Sequence, residues 1–217
     1  CLSTIEKLVF SIMLFQEGNG EMIEFGKLEY YLVAINAIGI LVYLINMLLY
    51  RHTASGQIDV VVTIVSLLGG SAGMLLMILL FDRKAEKENM MSRVFVICIF
   101  IIQIIILLIY KGHHAEHVTF AFWKFFADHR MLLIYFGIMN LVTFIVFAID
   151  KVNARTHRSR IRIVTLLGLS FAGGSIGGLI SMYLFRHKTQ KDYFTVGMPL
   201  IIIMQIVVIF YVMNAGW

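Results

Sequence analysis

NLVTFIVFAIDKVNARTHRSRIRIVTLLGLSFAGGSIGGLISMYLFRHKTQK, running from Asn140 to Lys191, decides how this chain is read. An apolar run ends in Asp150-Lys151. A basic connection through Arg155, Arg158, Arg160 and Arg162 follows, then a Gly173-Gly174-Ser175-x-Gly177 core, then Arg186-His187-Lys188-Thr189. The same plan occurs once before. Asn36 to Lys87 aligns with it at a constant offset of 104 without a gap, and 16 of the 52 aligned positions are identical. Asn36, Arg51, Ser66, Gly69, Gly70, Ser71, Gly73, Phe81 and Lys84 are among them.

Working outward, the surroundings of both copies are very apolar. Hydrophobic residues make up 60% of the 217 and charged residues 14%, against about 25% charged in an ordinary soluble domain. The apolar residues fall in blocks near the roughly 20 residues that cross a hydrocarbon layer of about 30 Å. The blocks are Tyr30–Tyr50, Ile58–Phe81, Arg93–Tyr110, Met131–Ile149, Ile161–Phe185 and Thr195–Met213. The expected fold is therefore an all-α integral membrane protein with six transmembrane helices. Short amphipathic interfacial helices are expected beside them, at Leu2–Phe15 and around Phe120–Phe126 with Trp123. The segmentation is 1–29, an amphipathic and acidic lead; 30–110, a first three-helix repeat; 111–130, a linker; and 131–217, a second three-helix repeat.

Three crossings per repeat is an odd number, so the second repeat would enter from the opposite side. That predicts inverted topology, with a pseudo-two-fold axis in the membrane plane. Over six crossings, eleven lysines and arginines fall on one side and seven on the other. The positive-inside rule then puts both termini in the cytoplasm. The net charge of +5 belongs to these connections and carries no nucleic-acid signal. Two cysteines, one of them inside an apolar block, exclude a disulfide framework.

Gly69, Gly70 and Ser71, with Gly173, Gly174 and Ser175, sit near the middle of their blocks. Glycine weakens a helix, so each cluster needs a reason. Gly69-xxx-Gly73 and Gly173-xxx-Gly177 are small-residue packing patterns, through which two copies of the chain could also associate. The other reading is an unwound segment facing a polar path. Asn36 and Asn140 lie within apolar blocks, where an amide demands a partner. They serve either as structural glue or as part of a solute path, and Gln103 and Gln205 invite the same reading with less force.

At the block ends, six crossings put Asp150 on the face of Arg83 and Lys84, which predicts an ion pair between the repeats. Arg186, His187 and Lys188 would lie on the opposite face, suited to lipid phosphate or another anion. His113 and His117 are spaced to clamp a metal if helical, but their setting reads as a solvated linker. No cofactor motif and no nucleophile elbow is present.

Asp150-Lys151, Ala154, Arg160-Ile161, Gly173-Gly174, Gly177, Arg186-His187-Lys188-Thr189 and Phe194 resemble the pattern of the DUF1294 family, bacterial membrane proteins of unassigned function. The family usually follows Arg-Ile with Pro-Glu, where Arg162 and Ile163 stand here. The first repeat is similar but more diverged, with Asn46-Met47 in place of Asp-Lys and Asp82-Arg83-Lys84 in place of Arg-His-Lys. The resemblance implies a multi-pass protein of the bacterial cytoplasmic membrane containing two fused units.

Three functional readings follow. The leading one is a small transporter or channel with a midplane path past Asn36, Asn140 and the glycine cores. The others are a non-catalytic scaffold, and a membrane enzyme or binder acting on lipid phosphate headgroups. A polar cavity at mid-depth would favour the first, and a dry core the second. A cleft at headgroup depth with His187 beside a carboxylate would favour the third.

Overall fold

The computed structural model describes residues 26–52, 58–87, 89–112, 119–156 and 158–215. Leu2–Phe15, His113 and His117 lie outside them. The chain divides into two compact units, residues 1–34 and 35–217. In the first, the described residues form the opening turns of helix α1 (Lys27–His52). There Gly26 N–H donates to Glu29 Oε2 at 2.7 Å.

The second unit holds the rest of α1, then α2 (Asp59–Val65) and α3 (Ser71–Leu80), joined by a π-helical turn at Ser66–Gly70. After α4 (Met90–Tyr110) and the short α5 (Phe122–Asp128) comes the long α6 (Arg130–Arg155). Then α7 (Ile163–Leu169) and α8 (Ser175–Leu184) are joined by a second π-helical turn, Ser170–Gly174, and α9 (Asp192–Thr195) leads into α10 (Gly197–Asn214). All the regular structure among the described residues is helical.

Six helical segments are long and apolar enough to cross a membrane. Two of them do not run straight. Gly69 has φ 116° and ψ 0°, and Gly173 has φ 114° and ψ 0°, a conformation that glycine adopts without the Cβ penalty. Each reverses the chain, so α2–α3 and α7–α8 are helical hairpins rather than crossings.

The hydrogen bonds fix the directions. Asn140 Oδ1 accepts from Gly177 N–H at 2.7 Å. Ser181 Oγ donates to Phe144 O at 3.0 Å, and His187 Nε2 lies 2.9 Å from Asp150 Oδ2. All three pairs are separated by 37 residues, so α8 runs alongside α6 and parallel to it. The entry of the same hairpin also returns to Asp150, whose Oδ1 accepts from Ile161 N–H at 2.9 Å.

In the first half, Asn36 Oδ1 accepts from Gly73 N–H at 2.7 Å, and Tyr43 Oη donates to Asp82 Oδ2 at 2.8 Å. Ile58 N–H donates to Asn46 Oδ1 at 3.0 Å. Both ends of each hairpin therefore lie at one end of the long helix beside it. The tip lies about 15 Å away, ten residues at 1.5 Å each between Asp150 and Asn140.

Interrupting a helix strips backbone groups of their partners, which is tolerated in an apolar bundle only where other protein groups replace them. Gln103 Nε2 donates to Ser66 O at 2.7 Å and Leu67 O at 3.2 Å, and its Oε1 accepts from Ser71 Oγ. Gln205 repeats the set on Ser170 O at 2.7 Å, Phe171 O at 3.2 Å and Ser175 Oγ. Asn140 Nδ2 reaches Gly173 O at 2.9 Å, and Tyr135 Oη reaches Ala172 O at 2.6 Å.

The glycines also let each hairpin lie against its long helix. A Cβ on Gly73 would fall on the Asn36 carbonyl, one on Gly177 on the Asn140 carbonyl, and one on Gly174 on the Thr143 hydroxyl. Gly73, Gly174 and Gly177 are thus used for packing inside the chain.

The two halves meet along α4 and α10. Met90, Val94 and Cys98 share a buried cluster with Phe194, Met198, Ile201 and Met204. A Cβ on Gly197 would sit 3.2 Å from Val94 Cγ1. Both helices start at their hairpin mouths and lie side by side. At the far end Asn214 Oδ1 accepts from Thr119 N–H at 2.6 Å. Both hairpins thus open at the same end of the bundle, and the repeats run in the same sense. The expectation of inverted topology fails because it counted each hairpin as a crossing.

Candidate anion site at the mouth of the second hairpin

Asp150 stands near the C-terminal end of α6 and is fully buried. Three donors meet its carboxylate: Ile161 N–H, His187 Nε2 at 2.9 Å and Lys188 Nζ at 2.7 Å. A carboxylate only accepts, so His187 Nε2 carries the proton of that bond. Lys188 Nζ also lies 5.0 Å from the centroid of Phe194, a cation–π contact. That ring is buried against Phe147 and Tyr193. Burial pulls the Lys188 amine below its ordinary range, opposed by Asp150 and reinforced by Arg160. Desolvation outweighs the carboxylate here because only 14% of the Lys188 side chain is exposed.

The turn that presents these groups is strained. Arg186 has φ 44° and Lys188 φ 64°, left-handed values that cost a non-glycine residue on the order of 1–3 kcal/mol each. His187 lies between them, its N–H donating to Met182 O at 3.0 Å.

Above Asp150 opens a cavity of about 1080 Å³. It is lined by the hairpin entry (Arg160, Ile161, Arg162, Ile163, Val164), by its exit (Arg186 to Lys191 and Tyr193), and by Ala85, Glu86 and Lys87 of the first half. Six lysine and arginine side chains are in that lining, and Glu86 is the one carboxylate among its described residues. Lys188 is neutralised by Asp150; Lys87, Arg160, Arg162, Arg186 and Lys191 make no ion pair among the described residues. Such a pocket is complementary to a multiply charged anion.

The first half builds the corresponding place differently. Asn46 stands where Asp150 does, and the acid, Asp82, comes from the hairpin exit, opposite Arg186 in the alignment. Asp82 is buried and held by Tyr43 Oη at 2.8 Å, Asn89 Nδ2 at 3.0 Å, Arg93 at 3.4 Å and Arg51 at 4.0 Å. Its cavity is about 580 Å³. Here the buried acid is met by two arginines.

Several sequence expectations are thereby rearranged. Asp150 does not pair with Arg83 or Lys84; Arg83 Nε instead donates to Leu79 O at 3.1 Å. His187 and Lys188, expected on the opposite face from Asp150, are its direct partners because Gly173 turns the chain back. Arg186 joins them in the same cavity wall. Asn36, Asn140, Ser71 and Ser175 are occupied in holding the hairpin tips, and Gly69, Gly70, Gly173 and Gly174 form the turns and their packing. Sequence reading missed Asp82, Asn89, Arg93 and Lys87. The swap of Asn46 for Asp150, mirrored by Asp82 for Arg186, was the signal available for Asp82. Among the described residues no group of three metal-ligating side chains occurs.

Long apolar helices around two internally hydrogen-bonded hairpins define a multi-pass, all-helical membrane protein. The chain belongs to the DUF1294 family, described as proteins of unknown function, whose sequence model matches residues 140–194. It is similar to the Uncharacterized protein YsdA of Bacillus subtilis (strain 168), 35% identical over 75 residues. That match covers 35% of this chain and 84% of the relative. No solved structure matches.

Proposed function

We propose that the chain binds the phosphate of an anionic ligand, a lipid headgroup in the first instance, in the cavity at the mouth of the second hairpin. The observation that carries this reading is the lining: five cations from three segments around one space, without an ion pair among the described residues, against one carboxylate among those residues. His187 beside a carboxylate in an open cleft is also the arrangement that favours a headgroup site over a transport path.

The hairpin geometry supports an orientation as well. Arg51, Arg83, Lys84, Lys87, Arg93, Lys151, Arg155, Arg158, Arg160, Arg162, Arg186, Lys188 and Lys191 belong to the mouth end, that is 13 of the 18 lysines and arginines. Lys111, Lys124 and Arg130 belong to the other end of the second unit. The positive-inside rule then turns the mouths to the cytoplasm and puts Asn214 outside. This reverses the orientation expected from six crossings. The recurrence of the glycine turns and the Asn and Gln brackets supports reading the first half as a diverged second copy of the family unit, its site closed by Asp82.

The test is thermal stabilisation of the purified protein in neutral detergent by dihexanoyl phosphatidic acid, against dihexanoyl phosphatidylcholine and inorganic phosphate. Phosphatidic acid is expected to raise Tm, less so as salt screens the charges. The rise is expected to disappear in Arg160→Ala/Arg162→Ala/Arg186→Ala. Equal responses to the two lipids, or a response unchanged in the triple variant, would refute the reading.

A further inference from the structure

From the geometry around Asp150 we infer that His187 is a general base, and that the site hydrolyses a phosphate ester held in the cavity. The inference rests on the anion site proposed above and assigns it a reaction.

Asp150 accepts from His187 Nε2, which fixes Nε2 as the protonated nitrogen. In the neutral ring Nδ1 is then the basic nitrogen. Nδ1 has no protein partner among the described residues, and His187 lines the cavity with 16% of its side chain exposed. This is the base-and-orienter arrangement that hydrolytic sites use: a buried carboxylate sets the tautomer and the ring angle, and the second nitrogen faces the reactants.

A structural role would not need this combination. Lys188 already neutralises Asp150, and Ile161 N–H already occupies its other oxygen. The carboxylate is satisfied without the imidazole. His187 is instead held on it by a turn with left-handed residues on both sides, and backbone outliers of this kind gather at functional sites. The first half makes the contrast. Its counterpart of His187 is Arg83, which faces the backbone of α3 through Leu79 O, and no histidine touches Asp82 among the described residues. The first half therefore lacks the base, and its cavity is about half the volume.

The chemistry balances with water as the one co-reactant. A water molecule gives a proton to His187 Nδ1 as its oxygen forms a bond to phosphorus. The bond between phosphorus and the ester oxygen breaks, and its electron pair leaves with that oxygen. The alkoxide takes a proton from solvent at the open mouth, and the hydroxide so formed recovers the proton from His187. The products are an alcohol and inorganic phosphate. Arg160, Arg162 and Arg186 bear the charge on the equatorial oxygens. Asp150 is a positioning residue, since it reaches the substrate only through His187.

The experiment measures release of inorganic phosphate by the purified full chain in neutral detergent, from dihexanoyl phosphatidic acid and, in parallel, from glycerol 3-phosphate. Release is expected, with kcat reduced about 100-fold or more in His187→Gln while KM and thermal stabilisation by phosphatidic acid stay within about twofold. Free imidazole is expected to restore part of the rate to His187→Ala, which a merely structural histidine would not allow. Asp150→Asn is expected to lower kcat and change the shape of its pH profile. Release from phosphatidic acid alone identifies a lipid headgroup as substrate; release from glycerol phosphate alone identifies a soluble ester. Stabilisation without release from either, or release unchanged in His187→Gln, overturns the hydrolytic assignment and leaves the binding site standing. Loss of stabilisation as well overturns both.

Discussion

Asp150→Asn isolates what the buried carboxylate does for the fold. Asparagine keeps the shape and an oxygen for Ile161 N–H, 2.9 Å away in the parent. The charge-assisted bonds to Lys188 Nζ at 2.7 Å and His187 Nε2 at 2.9 Å are weakened to neutral ones. Removing one partner of a buried pair costs about 3–5 kcal/mol when the other charge has no escape. Lys188 has two escapes. Its 14% exposed side chain can swing toward the cavity, and its amine is already pulled below the ordinary range by burial. A loss of about 2–3 kcal/mol is therefore expected at neutral pH.

The sign of the pH dependence follows from linkage. A lysine whose folded value is lowered binds fewer protons folded than unfolded, so stability rises with pH between its folded value and the ordinary 10.5. Asp150 is the group that raises the amine against burial, so its removal lowers that value further and starts the rise at lower pH. Thermal denaturation of parent and variant in neutral detergent from pH 6 to pH 9 is the assay. The gap in Tm is expected to be widest at pH 6 and to narrow toward pH 9. Adding Lys188→Met should recover most of the loss, with a coupling energy of about 1–3 kcal/mol. A gap that is constant across that range, or a double variant no better than Asp150→Asn, would refute the assignment of Lys188 as the charge left behind.

Other consequences are open to measurement. Single cysteines at Ser159 and Gln190, in a cysteine-free background, should react with an impermeant maleimide from the same side of sealed vesicles, and one at Asp128 from the other; labelling of Ser159 and Gln190 from opposite sides would rule out the hairpin. Gly177→Ala drives a methyl into the Asn140 carbonyl and should cost more than about 3 kcal/mol in thermal denaturation. Gly168→Ala, with nothing within 4 Å of its Cβ, should be neutral or stabilise by up to about 1 kcal/mol. Gln205→Leu leaves Ser170 O, Phe171 O and Ser175 Oγ without their partner; a loss of about 2–4 kcal/mol is expected, with hydrogen exchange accelerated across 170–177 and little changed across 66–73.

The sequence by itself determined the material of this protein. Blocks such as Met131–Ile149 and Met90–Tyr110 are long and apolar enough to cross a membrane, and at an offset of 104 the sequence aligns with itself at 16 identical positions of 52. Asn140 and Gln205 announced themselves as amides in need of partners, and Gly173-Gly174 as a place where a helix needed a reason to be weak. What the sequence could not carry was the direction of the chain after Gly173. A 22-residue segment from Ile163 to Leu184 has the length and hydropathy of a full crossing, and composition is the same whether it runs on or doubles back. The choice is made by tertiary contacts. Asn140, Gln205 and Tyr135, from α6 and α10, supply partners that an interrupted helix in an apolar bundle lacks, and the Asn140 carbonyl leaves room at Gly177 for nothing larger than hydrogen. The reversal at Gly173 brings Asp150, His187 and Lys188 together and gathers the arginines of two loops around one cavity, while the one at Gly69 gives the two halves the same sense.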